Sequence, residues 1–259
     1  LYEPAAGPPS GGGLGPLWRL DAGRTLFVGP LVYNAPHQHG APVFLSSLGG
    51  TFGLRLKGGD WLACGSAMVP AGLSHELRLD GEPVMVLYAE PDAGGPTALA
   101  RLVTNAEERD GAIVGRSTAT SLARALYERP DSAAWAAEAL DDLLGFGRSH
   151  ARREVDPRVT AAVVALAAEE PPTLSAVARS ARLSPSRLQH LFKAEIGVPL
   201  RRYRSWTRMR RAIAEIVTGA NFTTAAHAAG FADQAHFAHD FRATFGAPAS
   251  VSLTRPRGS

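Results

Sequence analysis

Thr-Leu-Ser-Ala-Val-Ala-Arg-Ser-Ala-Arg-Leu-Ser-Pro-Ser-Arg-Leu-Gln-His-Leu-Phe-Lys-Ala-Glu-Ile-Gly, residues Thr173 to Gly197, reads as a short alanine-rich helix, a tight turn and a second helix ending at glycine. Phe-Thr-Thr-Ala-Ala-His-Ala-Ala-Gly-Phe-Ala-Asp-Gln-Ala-His-Phe-Ala-His-Asp-Phe-Arg-Ala-Thr-Phe-Gly, residues Phe222 to Gly246, repeats the layout. In the first unit Leu174, Val177, Ala178 and Ala181 fall at helical spacing, and the small alanines let a second helix cross closely. Ser184 stands where an N-cap belongs, and Pro185 takes the first helical position, where its missing N–H costs nothing. Leu188, Leu191 and Phe192 then face inward, leaving Ser186, Gln189, His190 and Lys193 outside. In the second unit Gly230 supplies the turn, Asp233 caps, and Phe237, Phe241 and Phe245 anchor the core. Gln234, Ala235, His236, Ala238 and His239 face out. Short hydrogen-bonding side chains on the open face of a second helix are what base reading in a major groove requires.

The run Leu183 to Lys193 with Gly197 after it, the arginine-rich helix that follows, and Ala228-Ala229-Gly230-Phe231 leading into Phe237 to Ala249 resemble the DNA-binding domain of the AraC/XylS family of transcription regulators. The resemblance covers residues 173 to 252. It implies that each second helix enters a successive major groove of double-stranded DNA. Carried over by position, Ser186, Gln189 and His190 read bases in one groove, and Gln234, Ala235, His236 and His239 in the next. The family often has arginine where His190 and His239 stand. The connecting helix, Leu200 to Val217, shows an apolar stripe of Leu200, Tyr203, Trp206, Met209, Ile213, Ile216 and Val217. Arg201, Arg202, Arg204, Arg208 and Arg211 lie off that stripe. Between two DNA-reading units such a basic face, Arg201 and Arg204 included, is expected to contact phosphate rather than only solvent.

Charge divides the chain in the same way. Residues 156 to 259 hold 14 Lys+Arg against 7 Asp+Glu, while the remainder holds 13 against 17, so a net charge of +3 conceals a basic half and an acidic half. The basic half carries the helix-turn-helix units, which is the electrostatic footprint of a nucleic-acid binder. The single cysteine, Cys64, fits a reducing compartment, and no apolar run approaches a membrane span or a signal pattern. A cytoplasmic protein with no membrane partner is the expectation.

Ahead of that half, residues 1 to 16 are rich in Pro and Gly and read as a flexible tail. From 17 to 95 short apolar runs alternate with turn residues. Thr25 to Val28, Val43 to Leu48, Phe52 to Leu56, Trp61 to Cys64, Ala67 to Val69, Glu76 to Leu79 and Val84 to Tyr88 read as strands of a small barrel. Val32 to His39 and Met68 to His75 resemble the two sequence motifs of cupins, a sensing module that commonly precedes this DNA-binding domain. The resemblance places His37, His39 and His75 as three imidazole ligands for Zn²⁺, Ni²⁺ or Fe²⁺, the first two at i and i+2 of one strand and the third on a facing strand. The glutamate a catalytic cupin carries after His39 is absent, since Ala41-Pro42-Val43-Phe44 stands there, and Leu79 occupies a usual asparagine position. The alternative is that these histidines line a pocket for a small organic effector.

Residues 96 to 144 carry helical periodicity at Ala119 to Tyr127 and Ser132 to Leu144, with Leu122, Leu126, Trp135, Leu140 and Leu144 on apolar faces. They serve either as a dimer contact or as a cap on the barrel. Residues 145 to 155 read as a linker, and Asp156-Pro157 starts the helix Arg158 to Ala168. The fold class is therefore α+β in two domains: a cupin-like β-barrel followed by helices, then an all-α domain with two helix-turn-helix units joined by a linker helix. The function this implies is a non-enzymatic, sequence-specific transcription regulator. Its expected partners are operator DNA, a small-molecule or metal effector, a second copy of the chain and RNA polymerase. The competing readings are a metal-dependent cupin-type enzyme fused to a DNA-binding domain, and a constitutive DNA binder with an inert barrel.

Overall fold

The computed structural model describes residues 15–21, 23–148, 155–168 and 170–253. Most of the expected tail and of the 145–155 linker lies outside the described residues. The strand-rich half forms two sheets. The larger runs β1 (Leu17–Asp21), β2 (Arg24–Pro30), β9 (Pro83–Ala89), β4 (Val43–Ser47), β7 (Ser66–Val69), β11 (Ala112–Ser117) and β10 (Val103–Arg109) in spatial order. The smaller runs β3 (Tyr33–His37), β8 (His75–Arg78), β5 (Phe52–Leu56) and β6 (Trp61–Cys64). All pairings are antiparallel. The result is an open barrel of two sheets rather than one closed ring among the described strands.

Alternation along the strands of the larger sheet sorts its side chains into two cores. Phe27, Val43, Leu45, Val86 and Tyr88 point into the barrel, and Leu26, Val28, Phe44, Met85 and Leu87 point outward. Both faces are apolar because both are covered. The outer face carries α1 (Gly95–Ala100), α2 (Thr120–Glu128) and α3 (Ser132–Arg148), whose Ala123, Leu126, Ala136, Leu140 and Leu144 are buried against it. The apolar faces of α2 and α3 are thus used within the chain as a cap on the sheet.

Two expectations are corrected here. The segment 96 to 144 is not only helical: β10 and β11 form a hairpin within it, and β11 extends the larger sheet by pairing with β7. The hairpin turns at Asp110-Gly111, both with positive φ (48° and 91°), the backbone of a tight two-residue turn that Asp-Gly favours. The strand-rich region therefore continues past residue 95. The third histidine is also placed differently. His75 sits on β8, directly paired with His37 in the same sheet, and the register shifts between Asn34 and His37, around Pro36, so that His39 lies beyond the strand.

The helical half comprises α4 (Pro157–Ala167), α5 (Leu174–Ser180), α6 (Pro185–Ile196), α7 (Leu200–Val217), α8 (Phe222–Ala228), α9 (Gln234–Phe245) and α10 (Ala249–Ser252). Each helix of the two repeated units has a side-chain cap: Thr173 Oγ1 accepts from Ala176 N–H, Ser184 Oγ from Arg187, Asn221 Oδ1 from Thr224 and Asp233 Oδ1 from His236. Both second helices end at glycine in the left-handed region, Gly197 (φ 88°) and Gly246 (φ 72°).

The two halves share a core. Barrel residues Leu45 and Tyr88 belong to the same apolar cluster as Trp206, Phe241 and Phe245. At the junction the buried carboxylate of Glu90 accepts from Tyr203 Oη and Trp206 Nε1, with Arg210 Nη1 3.5 Å away. Arg210 also donates to Thr25 Oγ1 (2.8 Å) and to the Asp21 and Arg24 carbonyls. Glu90→Ala takes the shared buried carboxylate away from Tyr203, Trp206 and Arg210 and is expected to cost about 3 kcal/mol in urea denaturation. Asp141→Ala, which breaks a pair to Arg24 whose carboxylate is 61% exposed, is expected to cost under about 1 kcal/mol.

Candidate DNA interface and histidine chamber

The helix-turn-helix caps fix the direction in which each second helix projects, and the inward residues hold it there. Leu188 and Phe192 bury one face of α6, Phe237 and Phe241 one face of α9, while Leu191 is only half-buried. On the open face of α6, Ser186, Gln189, His190 and Lys193 are exposed. On α9, Gln234, Ala235, Ala238 and His239 are exposed, and Gln234 Oε1 accepts from Thr223 Oγ1 at 2.9 Å. His236 is engaged differently. Its Nδ1 accepts from the Ala232 N–H at 3.3 Å, its ring stands edge-on to Phe231, and Nε2 lies 3.6 Å from Asp240. This side chain braces the turn.

The linker-helix arginines divide in the same manner. Arg201 is exposed and Arg204 half-buried. Arg208 lies over the Phe231 ring, reaches the Gly230 carbonyl and faces Asp240 at 3.8 Å; Arg211 donates to the Ala168 carbonyl. Arg210, absent from the basic face read in the sequence, binds the barrel. The signal that separates it is position: it follows Met209 of the apolar stripe, on the side where Trp206 and Tyr203 meet Glu90.

At the barrel mouth His37, His39 and His75 are 4%, 3% and 1% exposed, and one ligand atom from each lies within 4.8 Å of the others. His37 Nδ1 bonds the Ala35 carbonyl (2.7 Å) and His75 Nδ1 the Leu73 carbonyl (2.9 Å). A ring nitrogen facing a carbonyl must carry the proton, so both Nε2 atoms hold a lone pair. Tyr88 Oη lies 3.1 Å from His39 Nε2. Burial, followed by the nearby His75 charge, pushes His37 down to about 3; burial pushes His75 down to about 4 and holds His39 well below its usual value. All three are neutral at pH 7, the state a metal requires of imidazole.

His37 and His39 border a cavity of about 30 Å³, lined also by Asn34, Trp18, Leu77, Phe241 and Phe245 and, among the described residues, by no Lys or Arg; His75 stands behind His37, their ring centroids 4.2 Å apart. Asn34 Oδ1 and His39 Nδ1, on residues that line it, and the neighbouring His75 Nε2 are buried without hydrogen-bond partners among the described residues. Buried polar atoms are rarely left so, and two on the lining of one small void with a third close by point to an occupant. The donor set fits a transition-metal ion, since three neutral imidazoles need only small movements to reach bond lengths of about 2.0–2.1 Å from one centre. Cys64, by contrast, is an inert buried thiol, pushed up to about 12 by burial.

Residue-level consequences separate the two kinds of histidine on α9. His236→Ala is expected to lower the stability of the helical half by about 1 kcal/mol in thermal melting, through loss of the bond to Ala232. His239→Ala, with an 82% exposed side chain, is expected to leave stability unchanged.

Residues 177–255 match the family described as a helix-turn-helix domain. Comparison with curated proteins finds no match. Among solved structures, wild-type ToxT from Vibrio cholerae with a bound unsaturated fatty acid is similar in fold, with a TM-score of 0.58 at 13% identity over 91% of this chain and 96% of that one. ToxT from Vibrio cholerae bound to (E)-4-(8-methylnaphthalen-1-yl)but-3-enoic acid gives 0.57 at 13% identity, over 90% and 99%. No helix among the described residues is long and apolar enough to cross a membrane. The segment 177–255 thus matches a helix-turn-helix domain family, and it is joined to a strand-rich domain in a two-domain fold similar to that of ToxT.

Proposed function

We propose that this protein is a sequence-specific DNA-binding transcription regulator, and that the chamber in its strand-rich half receives the effector. The observation that carries the first part is the pair of capped units, each with its polar face open on the second helix, joined by α7 with its basic side chains. In this reading Ser186, Gln189 and His190 on α6, and Gln234, Ala235 and His239 on α9, face base edges, while Lys193, Arg201 and Arg204 face phosphate.

The chamber favours a transition-metal ion over an organic effector. A cavity of about 30 Å³ holds roughly two waters, or an ion with one water, whereas pockets for organic ligands run to about 300–1,000 Å³. The unsaturated fatty acid found in ToxT is far too large for it, and among the described residues no cationic side chain lines it to receive a carboxylate. His37 Nε2, His75 Nε2 and one nitrogen of His39 would hold the ion, with Asn34 Oδ1 as a neighbouring acceptor for a bound water. The same lack of room weighs against an enzyme, because a substrate has nowhere to sit beside the histidines.

Two measurements test the reading. In electrophoretic or anisotropy titrations against a selected binding site, Gln189→Ala is expected to weaken cognate binding by about 1–3 kcal/mol with little change on random DNA. Arg201→Ala is expected to weaken both and to reduce the salt-dependence slope by about one unit. Equal losses on both DNAs for Gln189→Ala would remove its base-reading role. Elemental analysis of untagged protein is expected to find about one Zn²⁺, Ni²⁺ or Fe²⁺ per chain, lost in a His37→Ala/His39→Ala variant. Absence of metal, with no rise in melting temperature on adding these salts, would return the chamber to an inert or organic-effector reading.

A further inference from the structure

The histidine chamber lies in the strand-rich half, yet one wall of it comes from the second helix-turn-helix unit. Where α9 ends, the Phe245 and Gly246 carbonyls accept from Asn34 Nδ2 (2.6 Å) and the Ala35 N–H (2.9 Å). The Phe245 ring stands 5.8 Å from His39 and 6.1 Å from both Tyr88 and Trp206. At the end of α10, the Ser252 carbonyl accepts from Trp18 Nε1 at 3.0 Å. Gly246 lies so close to β3 that a Cβ there would stand 2.7 Å from His37 Nδ1 and would also meet the Ala35 carbonyl. The same strand thus presents His37 to the chamber and Ala35 to the end of α9.

We propose that the Phe245–Gly246 corner is the lid of the histidine chamber, so that an occupant enters or leaves only when the end of the second helix-turn-helix unit lifts from β3. The closed lid completes the wall around His37 and His39. An occupant that binds the closed form therefore holds the second unit against the barrel, and whatever draws that unit away, DNA included, loosens the occupant by the same factor. That consequence rests on the chamber being the effector site; the lid itself does not.

The test uses the full-length protein and diethyl pyrocarbonate, which acylates accessible neutral imidazoles, with peptide-level mass spectrometry as the readout. His190 and His239, both exposed, serve as internal references. In the wild type His37, His39 and His75 are expected to react at least about tenfold more slowly than the references, as groups reached only through opening. Gly246→Ala is expected to speed them by about tenfold. Gly230→Ala is the control: its φ of 80° gives the same backbone strain, but a Cβ there meets nothing within 4 Å, so chamber reactivity should stay at the wild-type level. If Gly246→Ala does not fold, Phe245→Ala, which removes the ring without adding an atom, replaces it with the same expectation. Chamber histidines as reactive as the references in the wild type, or unchanged in both lid variants, would overturn the proposal, as would equal acceleration by Gly230→Ala. The readout needs no metal. A protein that takes up no ion yet shows the Gly246→Ala effect loses the metal reading and keeps the lid; metal uptake with unchanged reactivity does the reverse.

Discussion

The buried carboxylate of Glu90 is the contact on which the relation between the two halves depends. A carboxylate removed from water is costly unless nearly every lone pair is met, and here two aromatic side chains of α7 and the Arg210 guanidinium converge on it. The dependence runs both ways. Tyr203 and Trp206 are among the largest fully buried side chains of the helical half, and their polar ends meet the Glu90 carboxylate because that residue directly follows β9. Gly40 allows Trp206 this position, since a Cβ there would meet the Trp206 side chain. The linker helix, which joins the two helix-turn-helix units, is in consequence also the keel of the barrel junction.

Much of the helical half was legible in its sequence because its signals are local. Ser184-Pro185, Asp233 and the terminal glycines each act within one turn of helix, and the stripe on α7 is a matter of period. Strand cores were legible for the same reason, with Phe52 to Leu56 and Trp61 to Cys64 falling where alternation put them. The β10–β11 hairpin was missed although Asp110-Gly111 is a strong turn signal, because β10 is largely exposed and lacks an apolar run. Nothing local marks Glu90 as a partner of Tyr203 and Trp206, residues more than a hundred positions away. The candidate site was legible to the same extent. The three histidines stand out in the sequence, but the wall supplied by α9 does not, and His236 looks no different from His239 until Ala232 is seen beside it.

The chamber's chemistry follows from its place in the shared core. The apolar cluster that runs from Leu45 and Tyr88 to Phe241 and Phe245 excludes water from the histidines and keeps them neutral, while two backbone carbonyls fix which nitrogen carries the proton. Burial alone would make three imidazoles an expensive choice for a core. His39 Nδ1 and His75 Nε2, without partners among the described residues and beside one small void, make them intelligible as a site.

Strand β10 closes the larger sheet on one side, and from Thr104 to Arg109 its residues are exposed. An open strand edge is a template on which other chains can add strands and build aggregates. Here the register is broken between Thr104 and Glu107, Asn105 adopts a positive φ of 49°, and Glu107, Glu108 and Arg109 follow in succession. A kinked edge carrying consecutive charges cannot align its amides with an incoming strand without burying like-signed carboxylates. This edge is thereby protected from pairing with another chain, and crowded copies of the protein are kept from fusing barrel to barrel through it.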